Sequence, residues 1–226
     1  MDNYTENFKI NSYEDVSSIY NLIIENNNVD DPMDDENHPS QEQIDHLVSL
    51  FNEKKIDQLL TELNENKFKY PKSYQLYFLK GLALKEKEEV HDAIVEFEKS
   101  MFLNKEFYEC GYELANLYSI NENYDSAIKV YEDTLKVAPQ NSKILNNLGI
   151  SYLLTSKYKK AYLCFKKALK YNYDYELAFN NMIHSCKHLG LSEDDIISNQ
   201  IDFRSMTYNE KTFKDIVNKI EKIILN

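Results

Sequence analysis

Residues 147–172, NLGISYLLTSKYKKAYLCFKKALKYN, decide how the chain folds. Leu148, Gly149 and Tyr152, with Leu145 just before, share one helical face. TSKY at 155–158 interrupts that pattern, and Ala161, Phe165, Ala168 and Leu169 resume it on a second helix. The stretch therefore reads as two helices joined by a short turn. Its small residues read as packing contacts. NLGISY is no G-x-G-x-x-G phosphate loop and begins no strand–turn–helix unit.

The same pattern recurs upstream. Steps of 34 residues back from Ala161 reach Ala127, Ala93 and Leu59. From Phe165 they reach Tyr131, Phe97 and Leu63, and from Tyr152 they reach Tyr118, Leu84 and Leu50. From Gly149 they reach Ala115, Gly81 and Leu47, and Pro139 lies two steps after Pro71. Four uninterrupted units follow: 40–73, 74–107, 108–141 and 142–175. The two helices of a unit cross at the small residues, where a larger side chain would push the backbones apart. Aromatic residues fill the volume beside the crossing.

The period, the helix–turn–helix unit and the order large, Leu, Gly/Ala, Tyr, then Ala, Phe/Tyr, Ala, then Pro resemble the tetratricopeptide repeat family. Residues 142–175 carry it at Leu145, Leu148, Gly149, Tyr152, Ala161, Phe165 and Ala168, with Tyr173 at the Pro position. Residues 108–141 carry it at Leu114, Ala115, Tyr118, Ala127, Tyr131 and Pro139, with Gly111 at the large position. Residues 74–107 carry it at Tyr77, Gly81, Ala93 and Phe97, with Lys80 in place of Leu. Residues 40–73 match loosely, through Leu47, Leu50, Leu63 and Pro71, as suits an end unit that packs on one side only.

The resemblance implies an all-α fold: a right-handed superhelical solenoid of four 34-residue helix–turn–helix repeats with C-terminal capping helices. Residues 176–226 supply those helices. Leu177, Ala178, Met182, Ile183 and Cys186 form a fifth first-helix pattern that Gly190 ends. Ser192 to Asp195 and Thr207 to Glu210 have capping-box spacing. Phe213, Ile216, Val217, Ile220, Ile223 and Ile224 form one stripe, read as a terminal cover, with a second binding face as the alternative.

Charge is unevenly spread. Residues 1–39 hold ten acidic residues and one Lys, −9 of the net −12, which leaves −3 for the repeats. This arm divides into a possible short helix at about 13–27, with Val16, Ile19, Tyr20 and Ile23 in phase, and a flexible acidic linker at 26–40. Nucleic acid and anionic membranes need a basic surface, so neither is expected as a partner. Arg204 is the single arginine, too few for a phosphate or carboxylate clamp. Cys110, Cys164 and Cys186 form no disulfide framework and no zinc pattern, and point to a reducing compartment, taken as the cytoplasm. No secretory signal and no membrane-spanning run is read in the sequence.

Catalytic and cofactor signatures are not found. There is no G-x-S-x-G elbow. His184 and His188 have two-ligand spacing but show no third ligand, so no metal is expected. Cys164 reads as an inert thiol, and Asp34–Asp35 and Asp194–Asp195 as solvated charge. The chain is therefore read as a non-enzymatic scaffold with no cofactor.

In tetratricopeptide arrays the first helices line a concave groove that takes the partner, so the resemblance implies a protein or peptide bound there. Its positions in this sequence include Phe78, Leu79 and Leu82; Tyr112, Glu113, Asn116 and Ser119; Lys143, Asn146, Asn147, Ile150 and Leu153; and Asn180, Asn181, His184, Lys187 and His188. Asn146 with Asn180, and Asn147 with Asn181, stand one period apart, and such an amide column suits the backbone of an extended peptide. Phe78 and Leu82 suit an apolar segment, or the chain's own residues 13–27. Ile44 and Val48 stand where chaperone-binding members carry carboxylate-holding Lys and Asn, so that clamp is not expected. Two other roles stay open. One is an accessory or substrate-docking subunit of a glycosyltransferase or sulfotransferase. The other is a secretion-type chaperone.

Overall fold

A computed structural model describes residues 38–199, 201 and 210–224. The expected helix at 13–27, most of the acidic linker and the Thr207 cap lie outside the described residues. Among the described residues every regular element is a helix. The helices are α1 (Gln41–Asn52), α2 (Ile56–Lys69), α3 (Tyr74–Glu86), α4 (Val90–Leu103), α5 (Tyr108–Ile120), α6 (Tyr124–Val137), α7 (Ser142–Leu154), α8 (Tyr158–Tyr171), α9 (Glu176–His188), α10 (Glu193–Ser198) and α11 (Glu210–Ile224). From α3 onward first helices start at residues 74, 108, 142 and 176, and second helices start at 56, 90, 124 and 158, each 34 after the last. The sequence period is thus the period of the structure.

The described residues form two compact units, one ending at Glu122 and the other beginning at Asn123. In the first, α1 to α5 pack each on the next. In the second, α6 to α9 do the same, and α9 also lies against α7.

The turns between paired helices share one construction. Lys54, Glu88, Glu122 and Ser156 have φ of 57°, 61°, 58° and 58°, and Gly190 has 98°. These positions are again 34 apart. Around four of them the backbone closes the same two hydrogen bonds. Lys55 N–H donates to the Leu50 carbonyl at 2.9 Å and Lys54 N–H to that of Phe51 at 3.0 Å. Glu89 and Glu88, Lys157 and Ser156, and Leu191 and Gly190 repeat the pair. This is the Schellman closure, which satisfies the last carbonyls of a helix by placing one residue in the left-handed region. Gly190, expected to end α9, occupies that residue.

The small positions work as expected. A Cβ on Gly149 would stand 2.5 Å from the Phe165 ring, and one on Gly81 would stand 2.6 Å from the Phe97 ring. Both rings are fully buried. The glycines therefore let α3 meet α4 and α7 meet α8 through a ring laid against bare backbone. The helix-propensity cost of about 1 kcal/mol per Gly is offset by that packing.

Helix starts are capped unevenly. Ser40 and Gln43 form a reciprocal capping box on α1, and Ser192 with Asp195 forms the expected one on α10. Asn141 accepts from two amides of α7. On α11 Phe213, Ile216, Val217 and Ile220 are buried. Lys166 of α8 reaches Glu221 at 2.5 Å, and Tyr173 meets the Phe213 ring edge-on at 5.7 Å. The terminal stripe is thus packed on its own unit.

Candidate interaction faces

The first helices carry the polar interior. Buried polar side chains are Gln75 on α3; Glu109, Glu113, Asn116 and Ser119 on α5; Asn146, Asn147 and Ser151 on α7; and Asn181 and Ser185 on α9. Second helices contribute Ser100 and Thr134, each of which bonds a backbone carbonyl. Burial of polar groups is costly unless they are satisfied. Their concentration on α5, α7 and α9 marks those first helices as distinct.

In the first unit this face mixes rings and carboxylates. Phe78 is 1% exposed and lies between Phe97, at 5.6 Å, and Phe107, at 4.7 Å and nearly perpendicular. Leu82 and Tyr112 are buried as well. Phe78 is accordingly packed among rings of its own repeat. Phe107, which closes over it, precedes α5 and lies off any helical stripe. Glu113 is buried; its Oε2 accepts from Lys85 at 2.6 Å, while its Oε1 has no hydrogen-bond partner. Ile44 and Val48, at the clamp positions, are buried and apolar.

In the second unit the amides bond to one another. The Asn181 amide donates to Asn146 Oδ1 at 3.1 Å, and Asn146 donates to Asn147 Oδ1 at 3.2 Å. The column expected from 34-residue spacing is a buried network whose bonds run diagonally. Ile150 is buried beside it. Asn180 is exposed and His184 half-buried, so of the ten candidate residues these two are the most accessible. His184 Nε2 faces His188 Nε2 at 3.2 Å, and Tyr158 stacks on the His188 ring. Burial, then the neighbouring His188 and Lys187, hold the His184 pKa below its ordinary value. Cys186 is buried away from this pair.

Two further contacts were not read from the sequence. Tyr118 donates its hydroxyl to Glu98, and Tyr152 donates to Glu132. Both members of the pair recur at 34 residues, so searching the second helices for acidic residues in register would have found them. Burial comes first and the carboxylate second in raising both phenol pKa values, that of Tyr118 to about 12.

The sequence profile described as Tetratricopeptide repeat matches residues 110–141 and 142–175. This chain carries tetratricopeptide repeats. The profile's second match coincides with the unit read from the period, and its first begins two residues inside one. Solved structures share the repeat fold. A MamA crystal structure superposes with TM-score 0.61 at 16% identity, over 78% of this chain and 95% of that one. MamA from Desulfovibrio magneticus RS-1 gives 0.58 at 14%, over 85% and 99%. Pseudomonas aeruginosa pilF gives 0.59 at 14%, over 79% and 86%. At such identities the likeness shows the fold alone. Among curated proteins, a UDP-N-acetylglucosamine–peptide N-acetylglucosaminyltransferase of Giardia intestinalis is 28% identical over 124 residues. That match covers 55% of the tetratricopeptide chain and 8% of the transferase.

Tetratricopeptide repeats indicate a protein-interaction scaffold. Among the described residues no group of three or more His, Cys, Asp and Glu side chains suits a metal ion, and no helix is long and apolar enough to cross a membrane.

Proposed function

We propose that this chain is a non-enzymatic interaction module that holds a peptide or protein segment against the first helices of its repeats. The observation that carries this reading is the asymmetry of the polar interior. Ten of the buried polar side chains sit on first helices and two on second helices. A fold needing only a core has no reason to spend desolvation on α5, α7 and α9, which hold nine of the ten. Asn180, the exposed amide of that face, suits backbone groups of a bound segment. Asn180 and His184, the accessible members of the face, are where a partner makes first contact. The three free, buried cysteines support a reducing compartment.

Site-specific photocrosslinking tests the assignment. A photoreactive residue at Asn180 or His184 is expected to capture a reproducible partner, and one at Val95 or Lys129, on second helices, is not. Equal capture from both sets, or capture from the second helices alone, overturns it.

The match to the Giardia transferase supports a second reading, in which the repeats dock substrates for a separate glycosyltransferase. Stable co-purification with such an enzyme favours it. Sugar transfer from UDP-N-acetylglucosamine by the purified chain alone would refute the non-enzymatic reading.

A further inference from the structure

We infer that His184 and His188 form a chelating pair for one divalent, imidazole-preferring metal ion on the surface of α9. The two residues are four apart, so their rings leave the helix one turn apart on the same side. Their Nε2 atoms stand 3.2 Å from each other. Two metal–nitrogen bonds of about 2.0–2.1 Å, meeting between a right angle and the tetrahedral angle, span about 2.9–3.3 Å. The pair already lies within that window. With one Nε2 protonated, the same spacing is a hydrogen bond, so the metal-free pair keeps a chelating separation.

The second ring is also held in place. Tyr158, the first residue of α8, stacks on His188 with centroids 4.3 Å apart and planes 5° from parallel. Its hydroxyl donates to Ser156 Oγ at 3.3 Å, which fixes the stacking partner in turn. Restricting a ligand before the metal arrives lowers the entropic cost of binding, and groups that orient ligating imidazoles typically matter tenfold or more. Tyr158 is thus a positioning residue. Both imidazoles are reachable, His188 being exposed and His184 half-buried.

The chemistry of the pair sets its choice of ion. No third His, Cys, Asp or Glu gathers with the imidazoles among the described residues. Cys186 is buried and stays outside the site. Water therefore fills the remaining positions. Two neutral nitrogens on an open site favour Cu²⁺ over Ni²⁺ and Zn²⁺, and discriminate against Mg²⁺ and Ca²⁺, which take oxygen ligands.

The test is a CuCl₂ titration of the full chain without an affinity tag, followed by calorimetry and electron paramagnetic resonance. Wild type is expected to show one saturable site whose spectrum carries coupling to two nitrogens. H184Q, H188Q and Y158L should each bind at least about tenfold more weakly. H91Q, which alters an exposed histidine on α4, should bind like wild type. Circular dichroism establishes that each variant is folded. If H184Q or H188Q binds like wild type, or H91Q removes the site, the assignment is wrong. It also fails if wild type shows no saturable Cu²⁺ binding below about 100 μM, which would leave the pair as a hydrogen bond only.

Discussion

Lys54, Glu88, Glu122 and Ser156 hold a backbone conformation that L-residues pay for, and Gly190 holds it freely. The left-handed region costs a non-glycine residue about 1–2 kcal/mol. Replacing Glu88, an exposed residue, with Gly removes that cost but adds about 0.4–1 kcal/mol of unfolded-chain entropy. E88G is therefore expected to stabilise the protein by about 0.5 kcal/mol, read as a higher urea midpoint. Gly190→Ala is the converse. A Cβ there meets nothing within 4 Å, so backbone strain alone should lower stability, by about 1 kcal/mol. The sequence announced two of these five turns, one because Gly190 follows an apolar run. The break at TSKY placed the turn at Ser156, while Lys54, Glu88 and Glu122 carry no turn signature of their own and were legible only through the 34-residue period.

The pairing of helices was legible because small residue and ring recur together. Gly149 and Phe165 test it as a unit. Alanine at 149 gains about 1 kcal/mol of helix propensity but drives a methyl into a ring that is fully buried. Overpacking of this kind typically costs about 1–3 kcal/mol, so G149A should be destabilised on balance. Adding F165L should restore part of the loss, giving a double mutant more stable than the sum of the single changes. Thermal and urea unfolding of the four proteins check this. What the helical register did not reveal was depth. Phe78 is closed off by Phe107, a residue between helices that no periodic pattern places. Asn146 and Asn181 lie on the expected face. Which amide each one reaches depends on side-chain geometry, and the bond formed spans 35 residues, not 34.

Across the whole molecule, burial raises the thiol pKa values of Cys110, Cys164 and Cys186 to about 12. An unfolded thiol titrates at about 8.5. The native state therefore keeps these protons longer than the unfolded state does. Their contribution to stability is complete below about pH 8.5 and is lost as pH rises toward 12. The urea midpoint should fall between pH 8 and pH 11, and Cys164→Ala should flatten that slope. All three thiols should resist a disulfide exchange reagent in the native protein and react together in urea. The left-handed turns have a last consequence. Four of the five close with the same two backbone bonds whatever side chain they carry, so the chain resets its phase every 34 residues. A splice that removes any 34 consecutive residues within the repeats rejoins equivalent backbone positions, whereas a splice of 17 joins a first helix to the wrong half of a pair. The repeating turn makes a whole period the natural quantum by which such a chain grows or shrinks.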